Sequence, residues 1–185
     1  MKMRIKGGQR LEGSLSILGA KNGIAPLVAA SILIKGDVYF HNVPRLTDLE
    51  QLLDIMRGMG ADIEWIGEHE LRLNTSQLDP TKLDPKQMKR MRFSILLLGP
   101  MLARFRRILV PEPGGCSIGN RPIDTHLYAL SALGASIEQD EQGSMYMEAP
   151  AWRGDYIILP EFSVTATENI IIAAVVSKGN TSIRM

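Results

Sequence analysis

The sequence is poor in the residues that would make several function classes easy to argue. Its 185 residues hold one cysteine, three histidines and 5% aromatics. A single thiol excludes an internal disulfide and a multi-thiol metal site, and such scarcity fits a reducing compartment. His41, His69 and His126 stand at no metal-binding spacing, so no metal is expected. Charge of one sign is missing too: 21 basic against 20 acidic residues leave a net +1. That gives no broad footprint for nucleic acid or anionic lipid, so any bound anion needs a few placed cations. The longest apolar runs, residues 24–34 and 94–103, each hold a proline and are too short to span a bilayer. They read as buried helices. The start, MKMRIKGGQR, has no apolar signal core, and the expected location is the cytoplasm.

What is present is a repeat. MGADIEWIGEHELRL (59–73) resembles LGASIEQDEQGSMYM (133–147) at an offset of 74 residues. Each pairs a Gly-Ala step with two short strands around a polar turn. An amphipathic helix precedes each. In the first, Leu49, Leu52, Leu53, Met56 and Met59 share one face, Thr47 and Glu50 suggest a capping box, and Gly60 suits a left-handed stop. In the second, Asp124 lies near the start, Leu127, Leu130 and Leu133 point inward, and Gly134 is the stop.

Upstream of each lies an apolar helix followed by a strand. SVTATENIIIAAVVSKGNTSIRM begins a third copy, with Lys35-Gly36 and Lys178-Gly179 matching at an offset of 143. The unit is therefore strand, apolar helix, strand, amphipathic helix, hairpin, an α/β class. Units fall at about 1–76, 77–150 and 151–185, the last incomplete. Repeat architectures need their terminal partners, so the expectation is an incomplete piece of a longer protein, with a natural short form that dimerises or tolerates a ragged end as the alternative. The polar segment 74–87, with two Asp-Pro steps, reads as a connection between units.

Candidate chemistry sits at the unit junctions. Cys116 follows Pro111, Pro113, Gly114 and Gly115, which exclude a regular element there. A loop thiol near a cation can act as proton donor or nucleophile; it can equally be a packing residue under a hairpin. Arg121-Pro122 reads as a helix entry beside free N–H groups, a natural anion site, or as a surface arginine. Gly19-Ala20-Lys21-Asn22 joins an expected strand, residues 13–18, to the first apolar helix. That is a plausible phosphate site but not a Walker loop, and a solvated lysine competes with it. Arg92 sits in or at the edge of an apolar helix, where a charge wants a partner. Lys89, Arg90, Arg104, Arg106 and Arg107 read as solvated charge. Ser163 and Thr165 are candidate caps of the third apolar helix.

GAKN, MR-S with GP-LAR, PGGC-IG-RP-D-H and SV-ATEN occur in order. Together they resemble the UDP-N-acetylglucosamine 1-carboxyvinyltransferases, enolpyruvyl transferases of peptidoglycan synthesis, from about Met3 to the end of the chain. The cysteine loop sets that family apart from 5-enolpyruvylshikimate-3-phosphate synthase. The resemblance implies an inverse α/β barrel, three units in each of two domains, and substrates phosphoenolpyruvate and UDP-N-acetylglucosamine with no cofactor. It implies Cys116 as general acid, adduct former and fosfomycin target, and Lys21, Asn22 and Arg121 on phosphoenolpyruvate. It places Asn22, Arg92, Arg121, Pro122, Ile123, Asp124, Thr125, Glu161, Phe162, Ser163 and Val164 on the UDP-sugar.

Two departures stand out. Thr165 occupies a position where many members carry glycine, adding a side chain at a ligand-facing turn. The second domain, which in the family supplies an aspartate proposed as base and a further arginine, has no counterpart here. A UDP-sugar-binding module, a non-catalytic homologue and a 5-enolpyruvylshikimate-3-phosphate synthase-like enzyme are the competing readings. Sequencing downstream of codon 185 tests the incomplete-piece expectation; an open frame of about two hundred further residues is expected from the repeat.

Overall fold

The computed structural model describes residues 2–185 except Gln9, residues 112–121 and Gln142, with the side chains of Arg90 and Arg92 also outside the description. Alternating burial builds its sheets. Strand β3 (Leu71–Asn74) buries Leu71 and Leu73 and turns Arg72 outward, and lies between β1 (Asp37–Phe40) and β2 (Asp62–Trp65), antiparallel to both. Strand β6 (Met145–Glu148) buries Met145 and Met147 between β4 (Arg107–Val110) and β5 (Ser136–Gln139), again antiparallel. Leu73 faces Val38 and Ile63; Met147 faces Ile108 and Ile137. The two sheets thus repeat one register, with period-two side chains directing one face to the core. Strands β7 (Tyr156–Ile158) and β8 (Ser182–Arg184) form a parallel pair.

Helix α2 (Thr47–Gly58) buries Leu49, Leu52, Leu53 and Met56, and Met59 follows them inward. Its counterpart is α5 (Asp124–Ala132). Gly60 and Gly134 close the two helices at φ +100° and +107°, which L side chains rarely adopt. Any Cβ there would also meet a carbonyl: Gln77 O at 2.9 Å for Gly60, Ala151 O at 2.8 Å for Gly134. Asp79 N–H donates to Met59 O (2.7 Å), and Arg153 N–H to Leu133 O (3.1 Å). Each pair is related by the same 74-residue step, so both complete units hand over to the next through one joint.

Three apolar segments fill the centre: α1 (Lys21–Ala30), a 3-10 turn (Arg92–Leu97) running into α4 (Leu98–Phe105), and α6 (Val164–Ala174). Asn169, fully buried in α6, welds two of them. Its Oδ1 accepts from Gly99 N–H (2.6 Å) and its Nδ2 donates to Ile95 O (3.0 Å). Gly99 is needed for that approach, since a Cβ would lie 2.5 Å from Asn169 O.

Several expectations need correction. The second apolar helix is not continuous. After α3 (Pro85–Arg90), Met91 is extended, and Ser94 Oγ bonds Met88 O and Met91 O at 3.0 and 2.7 Å. Those side-chain bonds compete with helical ones, and Pro100 lacks an N–H to continue the ladder. Residues 13–18 form no strand; Leu15 and Ile17 are 83% and 79% exposed, and no described strand pairs with them. The capping box does not form, because the N-cap is Leu46 and Glu50 instead accepts from Trp65 Nε1 (2.9 Å). Arg104 is not solvated: its guanidinium donates to Ile32 O, Thr75 Oγ1 and Ser76 O at 2.8, 2.9 and 3.3 Å. Burial lowers its pKa. The 74–87 connection carries two short turns, each opened by an Asp-Pro step whose aspartate, Asp79 or Asp84, caps the backbone.

Asn169→Leu keeps the volume but strands two buried backbone groups. It is expected to cost about 2–4 kcal/mol, read in urea as a lower midpoint at unchanged slope.

Candidate functional site

The starts of α1 and of the 3-10 turn lie side by side. Lys21, first in α1, holds its Nζ 4.9 Å from the ring of Phe93, second in the turn. Ile95, two residues further along the turn, bonds Asn169, the sixth residue of α6. The start of α1 offers free N–H groups and a positive dipole end beside Lys21, which suits an anionic group.

Lys21 is held in place. Its ammonium pairs with Asp48 Oδ2 at 2.8 Å. Asn22 is exposed at the same helix start, after N-cap Ala20. Asp48, 27 residues away in α2, was not anticipated; the only hint was an acidic residue at that helix start. Arg92 opens the 3-10 turn by its backbone, and its side chain lies outside the description. Cys116 and Arg121 also fall outside the described residues.

The two stretches expected on the UDP-sugar meet. Pro122 is exposed and precedes N-cap Ile123, so it lies before the first helical turn, not within it. Asp124 opens α5 and is exposed. Thr125, 2% exposed, donates from Oγ1 to Glu161 Oε1 at 2.9 Å. The next residue, His126, 1% exposed, pairs its Nε2 with Thr165 Oγ1 at 2.9 Å. Between these two bonds, Ser163 caps α6, its Oγ accepting from Ala166 N–H (3.3 Å). Ser163 O also accepts from Thr167 Oγ1 (2.9 Å). Phe162 and Val164 stay exposed at 73% and 53%. Thr165 therefore is not the cap; its hydroxyl turns onto His126. His126 carried no role in the sequence reading, and its signal was an imidazole on the apolar face of a helix.

A groove of about 480 Å³ runs along the start of α6, with Phe162, Ser163, Val164, Glu168 and Arg184 on its walls. Burial pushes the Glu168 carboxyl up. Another cavity, about 390 Å³, lies between the Pro80–Pro85 turns and β4, reaches Pro111 and holds none of the expected site residues. Among the described residues no group of three His, Cys, Asp or Glu side chains could hold a metal ion. None of the described helices is long and apolar enough to cross a membrane.

The family model for EPSP synthase (3-phosphoshikimate 1-carboxyvinyltransferase) matches residues 5–185. The UDP-N-acetylglucosamine 1-carboxyvinyltransferase of Campylobacter hominis is 42% identical over 181 residues, 98% of this chain and 43% of that protein. The protein of the same name from Helicobacter pylori is 41% identical over 182 residues, with the same coverage. The chain thus spans under half the length of these curated relatives. Among solved structures, the enolpyruvyl transferase NikO from Streptomyces tendae superposes with TM-score 0.76 at 21% identity, over 96% of this chain and 42% of that one. EPSP synthase from Acinetobacter baumannii gives TM-score 0.66 at 21% identity, over 92% and 40%. The expected fold class is thereby borne out.

Both Lys21 and Asp48 are nearly half exposed, at 41% and 46%, so water screens the pair. Lys21→Met is expected to change unfolding free energy by less than about 1 kcal/mol in a denaturant titration. Any larger loss of ligand affinity in that variant then reports on the ligand.

Proposed function

The chain belongs to the EPSP synthase family, and we propose that it is the N-terminal portion of a UDP-N-acetylglucosamine 1-carboxyvinyltransferase acting in the cytoplasm in peptidoglycan precursor synthesis. One observation carries the choice of substrate. Identity is 41–42% along nearly the whole chain to proteins of that name, against 21% to the solved EPSP synthase. The single cysteine in PGGC-IG-RP supports the same choice.

The reaction joins the sugar 3-hydroxyl to C2 of phosphoenolpyruvate and releases phosphate. Cys116 protonates C3 of the enol as the sugar oxygen adds to C2, and a proton leaves C3 again as the C2–O bond to phosphate breaks, restoring the double bond; Lys21, Asn22 and Arg121 hold the phosphoenolpyruvate phosphate and carboxylate. Arg92 neutralises substrate phosphate. Residues 122–125 and 161–164 hold the UDP-sugar. The α1 start beside Lys21 favours the same negative charge. The base that takes the hydroxyl proton lies in the second domain of the longer protein, so this chain alone binds UDP-sugar weakly and turns nothing over.

In the full-length protein, Cys116→Ala is expected to lower kcat at least about a hundredfold, the usual weight of a general acid. Fosfomycin is expected to label Cys116, seen as a mass shift on its peptide. Full activity of Cys116→Ala with no label at that position overturns the role. Calorimetry with UDP-N-acetylglucosamine beside a phosphate-release assay separates weak binding from turnover for this chain alone.

A further inference from the structure

Two consecutive buried polar residues of α5 grip the entry of α6 on either side of its cap. Thr125 holds Glu161, two residues before Ser163, and His126 holds Thr165, two residues after it, both at 2.9 Å. Thr125 and His126 are 2% and 1% exposed. Buried polar groups of this kind are costly unless bonded, and a bond in such a setting is directional. The two bonds therefore fix the α5 start against the α6 start along and across the helix axis. The cap itself hangs between them: Ser163 Oγ on Ala166 N–H, Ser163 O under Thr167 N–H and Oγ1.

We propose that the Thr125–Glu161 and His126–Thr165 bonds form a double latch that positions the UDP-sugar-binding junction, with His126 and Thr165 as positioning residues. This rests on the proposed function. The latch joins the two stretches assigned to the UDP-sugar and includes nothing on α1, where Lys21 is held independently by Asp48. Losing one bond loosens the sugar-nucleotide contacts while the phosphoenolpyruvate side and the acid stay in place. The effect falls on one substrate.

The test uses steady-state kinetics of the full-length protein with UDP-N-acetylglucosamine and phosphoenolpyruvate. Thr165→Val removes the hydroxyl at nearly constant shape. It is expected to raise KM for UDP-N-acetylglucosamine about tenfold, the weight of one buried hydrogen bond, with KM for phosphoenolpyruvate and kcat within about twofold. Thr165→Ser restores the hydroxyl and is expected to return KM to within about twofold of wild type. His126→Phe, at the other end of the same bond, is expected to act in the same direction and guards against a folding defect peculiar to position 165. An unchanged KM in an active enzyme overturns the latch alone, as does a fall in kcat without a KM split, the mark of a merely damaged fold. A wild-type protein that releases no phosphate from this substrate pair overturns the proposed function, and the latch falls with it.

Discussion

The amide of Asn169 is the contact around which the centre of the molecule is arranged. Fully buried among Ile170, Ile172 and Ala173, it would be a liability without partners. It finds both on the second unit, Gly99 N–H and Ile95 O. Those bonds demand a close approach, which only glycine at 99 permits. They also set the heights of α6 and the 3-10 turn against one another. Phe93 of that turn lies beside Lys21, so the starts of α1 and of the turn are neighbours.

Around that centre, two complete units repeat the same solution. Each amphipathic helix covers the core, stops at a glycine of positive φ, and passes its last carbonyl to a residue of the following segment, Asp79 or Arg153. The third segment contributes its apolar helix α6 and the parallel pair β7–β8. Its outer side carries exposed Phe162, Ile171 and Val175, at 73%, 54% and 73%.

Much of this was legible. Stripes at helical spacing located α2 and α5, and alternation with a shared Gly-Ala step located both hairpins. The 74-residue offset alone relates the units. The candidate junctions at Lys21-Asn22 and Ser163-Val164 do open helices, as a glycine–lysine step and a serine cap suggested. The misses share one origin. The break at Met91 depends on the Ser94 hydroxyl choosing backbone carbonyls over solvent. Arg104 looked solvated because its acceptors, Ile32 O and Thr75, are far off in sequence. The capping box failed because Trp65 claimed Glu50.

By itself the sequence determined the unit order, the faces each helix and strand would bury, and the glycine stops, since periodicity and φ preference are local properties. It also marked which residues could carry charge or a transferable proton. Only the tertiary structure decided which polar side chains meet. Lys21 and Asp48 are 27 residues apart, Thr125 and Glu161 are 36, His126 and Thr165 are 39, and Gly99 and Asn169 are 70. Such pairs form when burial strips water from both partners and packing brings them within reach, and no local pattern encodes that.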